Sequence, residues 1–170
     1  TNADSFYYFK NSKLRKLGTT ASTFAMIFNT APSYACKTVL DNTTLGFGNT
    51  GDGVLIKEGN FFWINTPDPF LTDTIPTALF RGATNGGAGI LLMDGVDLTA
   101  LGTSGQLFTT MATYRTAIIK DCKLPGGAFS VTATPNRVGA TEPIIIRSDS
   151  SGTNYRCEKY SILGTQTVET

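Results

Sequence analysis

The sequence contains no histidine. That removes the side chain most often used as general base, proton shuttle and metal ligand near neutral pH, and with it Ser-His-Asp and Cys-His nucleophile systems and His-based metal sites. Charge is scarce as well. Only 16% of the 170 residues are Asp, Glu, Lys or Arg, where about a quarter is usual in soluble domains. The formal net charge is +1, so the total predicts no long-range attraction to nucleic acid or to an anionic membrane. No apolar run approaches the roughly 18 residues that a membrane-spanning helix needs, and no signal peptide is recognisable, so the chain is expected to be mature, truncated or never exported. Three cysteines, Cys36, Cys122 and Cys157, are too few for a disulfide scaffold.

Threonine stands where charge is missing, at about one residue in six, against a usual composition led by Leu, Ala and Gly. Together with Ser, Asn and 18 Gly it predicts a neutral, hydroxylated surface. Such a surface loses little charge solvation when buried against a partner, which suits repeated subunit contacts.

The longest regular apolar pattern lies in 5–31. Tyr7, Leu14, Leu17, Ala21, Phe24, Phe28 and Ala31 recur at spacings of three, four and seven, with Lys10 interrupting one face, and predict a helix that ends before Pro32. Gly18 with Thr19 and Thr20 weakens its middle, and 19–28 has strand propensity as an alternative. Lys10, Lys13, Arg15 and Lys16 beside Phe6, Tyr7, Tyr8 and Phe9 offer a surface for nucleic acid or membrane, though the solvated side of a helix is the preferred reading.

Later segments are short and turn-rich. Val54 to Lys57 and Asn60 to Ile64 read as strands around an EGN turn, 90–101 as a hairpin turning at Asp94-Gly95, and IIIR with YRCEKYSIL as a C-terminal hairpin around SDSSGTN. Thr103 and Gln106 match a capping box ahead of Leu107, Met111, Tyr114 and Ile118, predicting a second, shorter helix near residues 104–121. The fold class expected is α+β. A long N-terminal helix (1–34) packs on a mainly antiparallel β body (35–170) within a single domain, 1–170. The expected core is Leu17, Phe24, Phe28, Phe62, Ile90, Leu92, Met111, Ile118, Ile145 and Ile162.

Motifs for chemistry are weak throughout. ATNGGAG lacks the Lys and the following helix of a phosphate loop. Asp68 with Asp73, and Asp94 with Asp97, are candidate carboxylate pairs for glycoside hydrolysis, but turn chemistry accounts for them. Cys36 beside Lys37 is a poor nucleophile candidate, Asn42-Thr43-Thr44 is a glycosylation sequon, and no EF-hand spacing occurs. No catalytic residue, cofactor site, metal site or small-molecule substrate is therefore assigned. Cys122 and Cys157 bracket the C-terminal section and form the candidate disulfide. Tyr7, Lys10 and Leu14 form the candidate assembly contact, because a fully buried helix has no use for Lys10 on its apolar face.

The order of helix, strand-rich body and cysteine-bracketed C-terminal section is similar in layout to type IV pilin-like subunits, without the apolar N-terminal segment that packs their filament core. An antiparallel, shell-forming sandwich as in viral coats also suits the short strands. The expected function is that of a non-enzymatic structural subunit of an extracellular, cell-surface or virion assembly, filament or shell, joined to copies of itself. The alternative is an adhesive or carbohydrate-binding module, with Trp63, Phe62 and tyrosines stacking on sugars.

Overall fold

The computed structural model describes residues 5–22, 24–28, 36–56, 59–71, 74–81, 89–102, 106–110, 115–123, 144–148 and 155–159. Thirteen strands run through them: β1 (Phe6–Lys10), β2 (Lys13–Arg15), β3 (Met26–Phe28), β4 (Lys37–Asp41), β5 (Thr44–Gly46), β6 (Val54–Ile56), β7 (Asn60–Thr66), β8 (Ala78–Arg81), β9 (Gly89–Val96), β10 (Gln106–Thr110), β11 (Arg115–Lys120), β12 (Ile144–Ser148) and β13 (Tyr155–Lys159). A 3₁₀ turn at Thr99–Leu101 is the single helical element among the described residues.

The strands form a seven-stranded sheet ordered β1-β4-β7-β9-β11-β12-β13, a four-stranded sheet ordered β10-β8-β6-β3, and a β2-β5 pair. Successive members of the large sheet are parallel as far as β11. Every pairing in the two smaller sheets is also parallel, and a parallel bridge from Leu45 to Phe70 continues the β2-β5 side. Sequence neighbours thus lie in different sheets, and each strand pairs with its counterpart one turn later. The chain winds as a three-sided parallel β-helix, with roughly 23 to 31 residues per coil. Coil 1 is β1, β2 and β3; coil 2 is β4, β5 and β6; coil 3 is β7, Phe70 and β8; coil 4 is β9 and β10; β11 opens coil 5. The hairpin β12-β13 then pairs antiparallel on β11 and ends the parallel run.

The expected helices and antiparallel body are therefore overturned. The 5–31 segment folds as β1, β2 and β3, with Tyr7, Phe9, Leu14, Met26 and Phe28 at positions stacked under inward residues of coil 2. Leu17, central to the supposed stripe, is 86% exposed. The stretch near 104–121 supplies β10 and β11, where Ala117 and Ile119 alternate inward. Without the N-terminal helix, the likeness in layout to pilin-like subunits falls too. Of the three expected hairpins two are absent: β6 and β7 lie in different sheets on either side of Gly59 (φ +64), and Asp94-Gly95 sits within β9, whereas the C-terminal one is present as β12-β13. Gly59 is required at that corner, since a Cβ there would fall 2.2 Å from the Cys36 carbonyl oxygen.

The interior is a stack of like on like. Leu40, Trp63, Met93 and Ile119 form one column and Thr38, Phe61, Leu91 and Ala117 another, all fully buried. Phe61 packs edge-on against Phe80, and Trp63 against Phe70. The Trp63 indole donates to the Thr43 carbonyl at 2.9 Å, which meets its one polar group.

Candidate functional site

The columns of the core run out at coil 1. Tyr7 is 52% exposed, although Thr38, stacked directly on it, is buried. Phe9, Leu14, Met26 and Phe28 are half-buried, whereas their column mates Leu40, Leu45, Val54 and Ile56 are buried. Among the described residues nothing stacks below the five inward side chains of coil 1, whereas the inner coils have neighbours on both sides. Of the expected assembly contact, Tyr7 and Leu14 stand together on this open face. Lys10 lies on the outer face instead, 3.8 Å from Asp41.

The backbone is open on the same side. Ser5 accepts from the Lys37 N–H, and the Asn11 N–H donates to the Asp41 carbonyl. In a parallel strand alternate residues face opposite neighbours, so Ser5, Tyr7, Phe9 and Asn11 address β4. Phe6, Tyr8 and Lys10 turn their N–H and C=O groups to the edge that no described strand pairs with, where the Lys10 carbonyl accepts from the Ser12 hydroxyl at 2.8 Å.

A column of left-handed residues fixes the corner after these strands: Asn11 (φ 49), Asn42 (φ 47), Asn65 (φ 52), Gly95 (φ 67) and Asp121 (φ 49). Asn, Asp and Gly are the residues that tolerate this conformation. The Asn42 amide donates to Asn11 Oδ1 at 2.8 Å, so the sequon asparagine serves the corner. Beside it Asp41 accepts from the Tyr8 hydroxyl at 2.7 Å and from Asn65 at 3.1 Å. The Tyr8 and Asn65 hydrogen bonds, with Lys10 nearby, hold the Asp41 carboxyl below its usual range, and the same contact pushes the Tyr8 phenol up.

Coil 1 is latched to coil 2 by Asp52. Its fully buried carboxylate accepts from Lys16 Nζ (2.6 Å) and from the backbone N–H groups of Ser22 (2.8 Å), Gly48 (3.0 Å) and Asn49 (2.9 Å). Burial opposes the charge, but these donors outweigh it and lower the pKa. The four-residue basic cluster is thus partly internal: Lys16 is spent on the latch, and Lys10, Lys13 and Arg15 remain outside.

The remaining candidates do not assemble into a reactive site. Asp94 pairs with Lys120 at 3.2 Å and Asp97 with Lys123 at 2.9 Å, two separate ion pairs between adjacent coils. Asp68 lies in the loop after β7, and Asp73 and the ATNGGAG loop fall outside the described residues. Cys36 is buried, and Lys37 Nζ lies over the Phe6 and Phe62 rings, 5.7 and 4.6 Å from their centroids. The expected disulfide is overturned: Cys122 is a free, buried thiol, and burial raises its pKa to about 11. Among the described residues no three His, Cys, Asp or Glu stand together as a metal site, and no helix is long and apolar enough to cross a membrane.

Sequence reasoning missed Asp52 and the corner column. The column had a signal: Phe9-Lys10-Asn11, Leu40-Asp41-Asn42, Trp63-Ile64-Asn65, Met93-Asp94-Gly95 and Ile119-Lys120-Asp121 all read as a bulky apolar residue, a spacer and a residue tolerant of positive φ. Comparison with protein-family models, with curated proteins and with solved structures finds no match to this chain.

Proposed function

We propose that the chain is a non-enzymatic structural subunit that joins copies of itself through the open face of coil 1. The observation that carries this is the graded exposure of the core columns: inward positions that are sealed in coils 2 to 4 stand half-open in coil 1, beside a strand edge that no described strand pairs with. Burying one large apolar side chain stabilises an association by about 1.5 to 3 kcal/mol, and unpaired edges recruit further strands. The low charge and high threonine content support an extracellular or virion setting as part of the same proposal.

Sedimentation velocity over two orders of magnitude in concentration tests it. Reversible association is expected for the wild type and its loss for the double variant Tyr7→Lys, Leu14→Lys, with unchanged circular dichroism. A chain that is monomeric throughout would overturn it.

One observation favours a second reading, the carbohydrate-binding module. Phe6 and Tyr8 are 63% and 50% exposed on one face with their rings within 12° of parallel, a surface on which a sugar can stack. Trp63 is sealed in the core and takes no part in it.

A further inference from the structure

The geometry points to a head-to-tail contact in which the β13 edge of one copy pairs, in parallel, with the β1 edge of the next. This rests on the reading of coil 1 as an assembly contact and names the surface that meets it.

The strand order leaves β1 and β13 as the two outer strands of the seven-stranded sheet. From β1 to β11 all strands run one way. β12 reverses the direction and β13 reverses it again, so β13 runs parallel to β1. The two ends of a single sheet are therefore compatible with each other, and joining them prolongs the parallel ladder that already links β1 to β4.

The symmetric alternative, β1 against β1 of a second copy, fits less well. It would be antiparallel, whereas every junction from β1 to β11 is parallel. Between Ser5 and Ser22 there are four cations, Lys10, Lys13, Arg15 and Lys16, and no acidic residue. β13 reads YRCEK, in which Arg156 and Lys159 outnumber Glu158, so charge does not choose between the two arrangements and strand direction does. The corner column also has a direction. Asn42 donates its amide to Asn11 Oδ1, while the Asn11 amide N–H groups have no partner among the described residues and remain to donate to the next chain. A heterologous contact of this kind closes into a ring or continues as a filament.

A mixing experiment tests the pairing. In one set β1 is blocked, by Phe6→Pro, at the start of an edge strand where proline is tolerated, or by Tyr7→Lys. In the other set β13 is blocked, by Arg156→Pro or Cys157→Pro; neighbouring positions face opposite sides, so one of the two removes an outward N–H. Glu158→Lys is added as a β13 variant that keeps every backbone donor, so the test survives if both proline variants lose their circular dichroism. Each set alone is expected to associate at least about tenfold more weakly than wild type. A β1-blocked variant mixed with a β13-blocked one is expected to give dimers and nothing larger, because each keeps one working end. Wild-type association in every folded β13 variant, or a mixture that stays monomeric while wild type associates, overturns the pairing alone. A wild-type chain that never associates overturns the assembly reading and the pairing together.

Discussion

A carboxylate sealed from solvent is tolerated only when its lone pairs are met, and Asp52 meets that condition with one ammonium and three backbone donors. Asp52→Ala strands Lys16, whose side chain is itself largely buried, and leaves those N–H groups without acceptors. Denaturant unfolding should show a loss of about 3 to 5 kcal/mol. The pH dependence follows from the lowered pKa. The stabilisation is complete above the ordinary carboxyl range near 3.8 and is lost as pH falls below it and through the depressed folded value. Acid unfolding of wild type should therefore be steeper than that of Asp52→Asn. Nothing in LGFGNTGDG beyond turn-forming residues announced this role. Ser22 and Lys16 lie 30 and 36 positions upstream, and only the stacking of coils brings them to Asp52.

At the scale of the strand, the right segments were legible in the second half of the chain but the wrong face was chosen. Phe62, Ile90, Leu92 and Ile118, expected in the core, occupy the outer rows, while Phe61, Trp63, Leu91, Met93, Ala117 and Ile119 point inward. A shift of one residue exchanges the faces of a strand, and here both faces are apolar, since Tyr8, Val39, Phe62, Leu92 and Ile118 form an outward column. With two apolar rows on each strand, no alternation shows which row is inside. The corners carry firmer information. Asn42→Ala places a Cβ in the left-handed region and should cost about 1 to 2 kcal/mol, beyond the loss of its bond to Asn11. Asn42→Gly, free of that strain, should cost distinctly less, and parallel thermal melts of the two variants would show the difference.

Over the whole molecule, protection should rise from the open end inward. Hydrogen exchange on the dilute chain should find the Phe6, Tyr8 and Lys10 amides fast and those of Tyr7 and Phe9 slow, with the inner strands β4, β7 and β9 slowest. Slowing of the first three on raising the concentration would place the assembly contact at that edge. The winding itself was hidden in the sequence because the coils differ in length: loops of different size separate β2 from β3 and β5 from β6, so no fixed period appears although the corners repeat. The N-terminal segment misled for a related reason. Three short strands interrupted at Asn11 and Gly18 scatter their inward residues at intervals that a helix would also produce.

The Asp52 latch has a consequence for the order of events in a growing chain. Coil 1 is made before coil 2, yet its own loop is held by a carboxylate from coil 2, and its inward residues rest on β4, β5 and β6. A nascent or truncated chain that stops short of Asp52 lacks the latch and β6, two of these supports of the edge proposed for assembly. Under the proposed assembly, such incomplete chains are expected to join more weakly than the full chain, for want of a shaped edge.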